Sequence, residues 1–254
     1  MKFSNLSSSK RINEWINESY QECKASYPLP EKGKIAFDIG ANVGGFCIHA
    51  HKSFDKIFAF EPMIENYNIL CQTIETLGIK NVEIYNTAVY SESNKTLPLR
   101  VYGGSHTKDI TCAEGLLPFK VGSKIVEVGQ QCETISLKDA MDALGIDQLD
   151  YLKLDCEGSE YAILENHDNY DNIKWICMEI HQLYGYDRKK KLLNMLEKFY
   201  YLTDINSLAM SVQNFLRDIN KSEEYSVDDV IKNHKVNNIE RLHNVLLINR
   251  NLKK

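Results

Sequence analysis

Three polar clusters in this chain carry residue types suited to group transfer. The densest is Asp150-Tyr151-Leu152-Lys153-Leu154-Asp155-Cys156-Glu157-Gly158-Ser159-Glu160, which sets four acids and one lysine around the end of an apolar segment. A carboxylate in that place can take a proton, hold a cation or cap the helix that follows. Capping accounts for Glu157 and Glu160 as acids set against a helix dipole. It leaves Lys153 unexplained, because strand alternation puts Lys153 on the same face as Asp155. Asp155 is therefore expected to face the reacting groups, with Lys153 beside it. In the second cluster, Met178-Glu179-Ile180-His181, the same period of two puts Glu179 and His181 on one face. Asp155, Glu179 and His181 together form a donor set for a divalent cation; alternatively, Asp155 or His181 serves as a general base. Both readings stay open at the level of sequence.

The third cluster is Phe37-Asp38-Ile39-Gly40-Ala41-Asn42-Val43-Gly44-Gly45-Phe46. It reads as a strand turning through glycines into a helix, the place where an open α/β sheet takes up a nucleotide. Gly40 permits a sharp turn and leaves room for a ligand, and Gly44 and Gly45 allow close approach at the helix start. Twenty-one positions after Gly40 comes Glu61, closing the apolar run Phe58-Ala59-Phe60. An acid there can accept hydrogen bonds from two ribose hydroxyls. Asn42 stands where a dinucleotide fingerprint needs its middle glycine, and the Asp38 carboxylate would repel a pyrophosphate. The same carboxylate suits the ammonium group of a methionine moiety. Charge therefore favours S-adenosylmethionine over a nicotinamide cofactor, with Asp38, Gly40, Asn42, Gly44 and Glu61 around it. By position alone, Asn86 and Thr87 at the end of the third strand are expected near the adenine.

The elements that must hold these clusters follow from hydrophobic periodicity. Ile12, Trp15, Ile16 and Tyr20 recur at helical spacing in a leading helical segment, residues 1–33, whose apolar stripe is expected simply to pack on the main domain. From residue 34 to 254 the chain reads as one α/β domain. Strands are predicted at Ile35–Ile39, Ile57–Phe60, Val82–Val89, Asp150–Asp155, Ile173–Ile180, Tyr200–Ile205 and Asn244–Asn249. Helices are predicted at Gly44–His51, Glu65–Leu77, Ser136–Leu144, Glu157–Asn166 and Arg188–Lys198. The alternation implies a mostly parallel sheet with helices on both faces. Two stretches break it: a β-rich insertion at about 91–131, and a polar surface excursion at about 206–238. The run Arg188-Lys189-Lys190-Lys191 is read as a solvated helix face, and His106 and Lys108 as residues that could line an acceptor pocket.

Composition narrows the partners. The chain has 254 residues, 43% of them hydrophobic, and a formal net charge of -5. That acidic balance argues against a nucleic-acid backbone as the main partner. Seven cysteines without a C-x-x-C pair read as reduced thiols. The first twenty residues lack the apolar core of a signal peptide, and no run approaches a membrane span, so a cytoplasmic protein is expected.

Asp38-Ile39-Gly40-Ala41-Asn42-Val43-Gly44, Phe60-Glu61-Pro62 and Leu152-Lys153-Leu154-Asp155-Cys156-Glu157-Gly158-Ser159-Glu160 resemble the motifs of the FkbM-type methyltransferases, as does Glu133-Thr134-Ile135-Ser136-Leu137. The likeness runs from about Ile35 to Ile180, and its most specific part is the Lys-x-Asp-x-Glu-Gly-x-Glu pattern. Cys156 and Ser159 depart from the small apolar residues more usual there. The resemblance implies a Rossmann-like class I methyltransferase fold with a seven-stranded sheet. It also implies S-adenosylmethionine as donor and methylation of a hydroxyl on a sugar, a polysaccharide precursor or a macrolide-type product. The acceptor expected is a small molecule or saccharide; association into a homo-oligomer stays open. Two other classes remain: a non-catalytic module that keeps the donor pocket, and an NAD-dependent oxidoreductase. Methylation of nucleic-acid bases is disfavoured, because the chain has no adjacent prolines and no Pro-Cys pair.

Overall fold

A computed structural model describes residues 6–102, 110–111, 125–181, 186–204 and 243–251. Helix α1 (Lys10–Ser26) leads into β1 (Gly33–Ile39), α2 (Gly45–Ala50), β2 (Phe54–Phe60), α3 (Ile64–Thr76) and β3 (Val82–Tyr85). Then come β4 (Ala88–Tyr90), β5 (Thr96–Tyr102), β6 (Ile110–Thr111), β7 (Ile125–Ser136) and α4 (Leu137–Ala143). The chain closes with β8 (Leu149–Leu154), α5 (Glu160–Glu165), β9 (Ile173–Glu179), α6 (Tyr186–Leu196), β10 (Tyr200–Asp204) and β11 (Asn244–Asn249).

Seven strands form the main sheet in the order β10-β11-β9-β8-β1-β2-β3. Strand β11 is antiparallel to both neighbours, and the other pairs are parallel. The direction of winding reverses between β1 and β8, which opens a crevice at their carboxyl ends. The α/β class, the seven-stranded sheet and its mostly parallel character agree with the sequence reading.

Alternation along the central strands divides the core in two. Phe37, Ile39, Leu152 and Leu154 pack with Met141 of α4, Tyr161 of α5 and Leu193 of α6 on one face. Ala36 and Tyr151 pack with Cys23 of α1, Phe46 of α2 and Leu70 of α3 on the other. Asp38 and Lys153, paired in register, follow the second set by the same period of two. A charged pair is thereby built into the middle of an apolar layer.

The stretch Val82–Val89 is two strands, not one. Asn86 Nδ2 donates to the carbonyls of Glu61 and Pro62, both at 2.9 Å, and Thr87 Oγ1 donates to the carbonyl of Glu133 at 2.8 Å. These bonds turn the chain out of the main sheet, and β4 joins a second sheet ordered β4-β7-β5-β6. The β-rich character expected of the insertion is seen in β5, β6 and β7. The excursion 206–238, His106 and Lys108 lie outside the described residues. In the basic run, Lys190 and Lys191 are exposed but Lys189 is buried, and Arg188 grips Glu165 of α5 at 2.7 Å while lying over the Tyr161 ring. That run is therefore only partly a solvated face.

Helix α1 starts at Ser9, whose hydroxyl accepts from Ile12 N–H. It buries Ile16 against Val43 and Ile48, with Trp15 and Tyr20 at the margin. Its seat depends on Gly45, where a Cβ would lie 2.3 Å from Ser19 Oγ and 2.5 Å from the Ser19 carbonyl oxygen. Gly45→Ala is expected to lower stability by about 1–3 kcal/mol by prising α1 from α2; urea denaturation of the two proteins measures it.

Candidate active site

The crevice at the ends of β1 and β8 opens into a cavity. Gly40, Asn42, Glu61, Lys153, Asp155 and Glu179 all line it, together with Glu157. Asp38, Gly44, Asn86 and Thr87 are not on its wall, and neither is His181. These placements follow from local chemistry, residue by residue.

Lys153 is almost wholly buried, with a side chain only 3% exposed. Its Nζ donates to the Gly40 carbonyl at 2.7 Å, lies 3.1 Å from Asp38 Oδ1 and 3.9 Å from Asp155 Oδ2, and sits 5.6 Å from the centre of the Tyr27 ring. Burial works against the ammonium, but Asp38 and then Asp155 outweigh it and push its pKa well above the usual lysine value. Lys153 is a fixed cation rather than a proton acceptor. Asp38, fully buried, is engaged by this lysine and by the Cys47 thiol, which donates to Oδ2 at 3.3 Å. Its carboxylate is thus turned to the protein interior and not to the cavity.

Glycines at the β1 turn serve the same junction. Gly40 has φ +75°, and a Cβ there would meet the Asp155 carbonyl oxygen at 1.9 Å. The turn therefore needs glycine so that the ends of β1 and β8 can close on each other. At Gly44 a Cβ would meet Leu70 at 2.5 Å. Protein packing, rather than ligand approach, accounts for both.

Glu61 is 4% exposed at the other end of the cavity. Its Oε2 accepts from Asn42 N–H at 2.8 Å and its Oε1 from Met63 N–H at 2.9 Å. Asn42 takes a positive φ of 50°, and its Oδ1 is buried with no partner among the described residues. Burial pushes the Glu61 carboxyl from 4.5 to about 7, against the pull of the two amides and Lys153.

Beyond β8 the chain turns through Glu157 (φ 52°) and Gly158 (φ 101°) into α5. Glu160 is fully buried and accepts from the N–H groups of Cys156 and Gly158, both at 2.9 Å, so it braces the turn. His181 lies between acids: Nδ1 is 3.1 Å from Glu160 Oε1, Nε2 is 3.2 Å from Glu157 Oε2, and Glu179 is 3.9 Å away. Burial opposes a charge on this imidazole, but Glu160 and Glu157 overcome it and raise the pKa well above the usual value. A carboxylate oxygen beside each ring nitrogen favours the imidazolium form, which has no lone pair to accept a proton. Among the described residues the grouping fit for a cation is Asp155, Glu157 and His181, with donor atoms within 4.8 Å; Glu157 stands where the sequence reading had Glu179. An ion bound there would have to displace the His181 proton.

Sequence reasoning did not anticipate the part played by the leading segment. Ser19, Glu22, Cys23, Ser26 and Tyr27 line the cavity, and the Tyr27 hydroxyl donates to Asp155 Oδ2 at 2.9 Å. The helical stripe that was legible, Ile12, Trp15, Ile16 and Tyr20, lies on the packing side. The only hint was the interval of four from Ser19 to Cys23 on α1 and on to Tyr27, the residue that caps the helix.

Two stability effects follow. Lys153→Met leaves Asp38 buried without its cation and is expected to cost about 3–5 kcal/mol, read from urea denaturation. Glu61 holds its proton more tightly folded than unfolded, so it contributes stability present below pH 4.5 that is lost as the pH rises through about 7. Glu61→Gln, which cannot titrate, should flatten that part of a melting-temperature profile.

Comparison with known proteins places the chain in a family. The sequence matches the Methyltransferase FkbM domain over residues 38–208. The 31-O-demethyl-FK506 methyltransferase FkbM of Streptomyces tacrolimicus is 25% identical over 185 residues, covering 60% of this chain and 67% of that protein. Among solved structures, the methyltransferase FkbM of Methylobacillus flagellatus KT is similar at 12% identity, with a TM-score of 0.41 over 86% of this chain and 44% of that one. TrmK of M. capricolum, solved with S-adenosyl-homocysteine, is similar at 12% identity and a TM-score of 0.41 over 93% of this chain and 68% of that one. At such low identity neither structure speaks to what this chain binds. The domain match spans more than half of the sequence and includes the cavity's Gly40, Asn42, Glu61, Lys153 and Asp155, and the chain belongs to the FkbM methyltransferase family.

Proposed function

We propose that this chain is an S-adenosylmethionine-dependent O-methyltransferase acting on a hydroxyl of a sugar or a related small natural product. The observation that carries the donor reading is Glu61: a buried carboxylate on the cavity wall at the end of β2, already oriented by two backbone amides. Each of its oxygens keeps further acceptor capacity, which suits a ribose diol. Asn42 Oδ1, buried and unpartnered among the described residues, offers another acceptor beside it. Among the described residues on that wall only Lys153 is cationic, so a diphosphate finds little there to hold it. The charge argument for the donor thus rests on Glu61, Asp155, Glu157 and Glu179 and not on Asp38.

Glu61, Asn42 and Gly40 would hold the donor. When bound, it supplies the methyl group together with its own leaving group. The protein's remaining tasks are to align the acceptor hydroxyl and to receive its proton. Asp155 suits the second task better than the other candidates. Lys153 is held as an ammonium by Asp38, and His181 is favoured in its protonated form by Glu157 and Glu160 on either side. An alcohol oxygen needs such a base because a hydroxyl is a weak acid. The identity of the relative in Streptomyces tacrolimicus, a 31-O-demethyl-FK506 methyltransferase, supports oxygen as the methylated atom.

Isothermal calorimetry tests the reading. S-adenosylhomocysteine should bind and NAD should not, and Glu61→Gln should weaken the first by about tenfold, the value of one charge-assisted bond. With methyl-labelled donor and a panel of sugars and macrolides, label should enter a hydroxyl ether, and Asp155→Ala should abolish that transfer. Heat with NAD alone, or label on an amine, would sink the proposal.

A further inference from the structure

The leading segment precedes the matched family region, which begins at Asp38, yet it supplies Tyr27 to the cavity wall. Tyr27 is 2% exposed. Its ring meets Phe46 edge-on at 5.9 Å, and its carbonyl oxygen lies 3.0 Å from His49 Nε2, so its place is set from both ends. The hydroxyl then donates to Asp155 Oδ2 at 2.9 Å.

Lys153 Nζ lies 3.9 Å from that same oxygen. A close ion pair forms at about 2.7–2.9 Å, so the two charges stand short of close contact. The phenol and the ammonium thus both address Oδ2, and only the phenol holds it at bonding distance. While Tyr27 holds it, Asp155 stops short of a close pair with Lys153 and remains on the cavity wall. Burial drives the Tyr27 pKa well above the usual phenol value, and Asp155 adds to the effect. The hydroxyl therefore keeps its proton and stays a donor across neutral pH.

We propose that Tyr27 is a positioning residue which keeps Asp155 turned away from Lys153, so that the carboxylate's charge acts on the sulfonium end of the donor. The proposal rests on the methyl-donor reading above. It has a consequence that packing alone would not produce: the site should distinguish the charged donor from its neutral demethylated product. Tyr27→Phe keeps the ring and its contacts and removes only the hydroxyl.

Calorimetry with S-adenosylmethionine and with S-adenosylhomocysteine on four proteins, wild type, Tyr27→Phe, Asp155→Asn and the double variant, decides the matter. Tyr27→Phe should weaken S-adenosylmethionine by about fivefold to tenfold, the scale of a partly buried charge interaction. S-adenosylhomocysteine should change by less than about twofold, because it lacks the charge. In the Asp155→Asn background the effect of Tyr27→Phe should vanish, since coupled residues are not additive. Equal loss for both ligands would make Tyr27 a wall residue only and overturn the proposal. So would unchanged affinity, or a loss that persists in Asp155→Asn. Should Tyr27→Phe fail to fold, Asp155→Asn alone must lose the same preference for the charged ligand, and keeping it is equally fatal. A wild-type protein that binds neither compound contradicts the donor reading itself, a different result from any of these.

Discussion

A fully buried ammonium joins the two central strands at the point where the site forms. Lys153 reaches from β8 to the Gly40 carbonyl of the β1 turn, and its charge is met by Asp38 of β1 and Asp155 beyond β8. A lone buried charge costs several kcal/mol, so these partners are obligatory rather than ornamental. The arrangement fixes the path of the glycine turn and the spacing of the strand ends, while the Tyr27 hydroxyl holds Asp155 Oδ2. Gly40 completes it, because any side chain there would collide with the Asp155 carbonyl. The crevice is therefore a consequence of one ion pair and one absent Cβ.

Around that junction the cavity separates two electrostatic tasks. At one end Glu61 is buried, oriented by backbone amides and poised near neutrality. At the other, Asp155, Glu157 and Glu179 stand on the wall, with His181 set between Glu157 and Glu160. Glu160 belongs to the framework of the α5 turn and takes no part in the cavity. Acids close together in sequence thus divide into one that braces the backbone and two that line the cavity.

The clusters around β1, β2 and β8 were legible because strand ends concentrate polar residues in an otherwise apolar pattern. Period-two alternation put Lys153 and Asp155 on one face, and the register of β1 with β8 adds what alternation could not: that Asp38 lies directly across from Lys153. Without that register Asp38 looked like a ligand for an ammonium group, whereas it is engaged by the protein's own. Asn86 and Thr87 were placed by position in the strand order, and the structure uses both side chains to steer the chain from β3 to β4. Tyr27 was illegible for a different reason. It lies 128 positions from Asp155, and helical periodicity identifies an apolar stripe without saying what the neighbouring row will meet.

The proposed donor, an adenosine-linked methionine, would lie in the cavity between Glu61 and the Tyr27–Asp155 pair. A crystal structure of the protein with S-adenosylhomocysteine tests it most directly. Density for the ribose hydroxyls on the Glu61 carboxylate, with the amino-acid end reaching toward Lys153 and Tyr27, is the result expected. Density elsewhere on the protein, or a ribose turned away from Glu61, would contradict it.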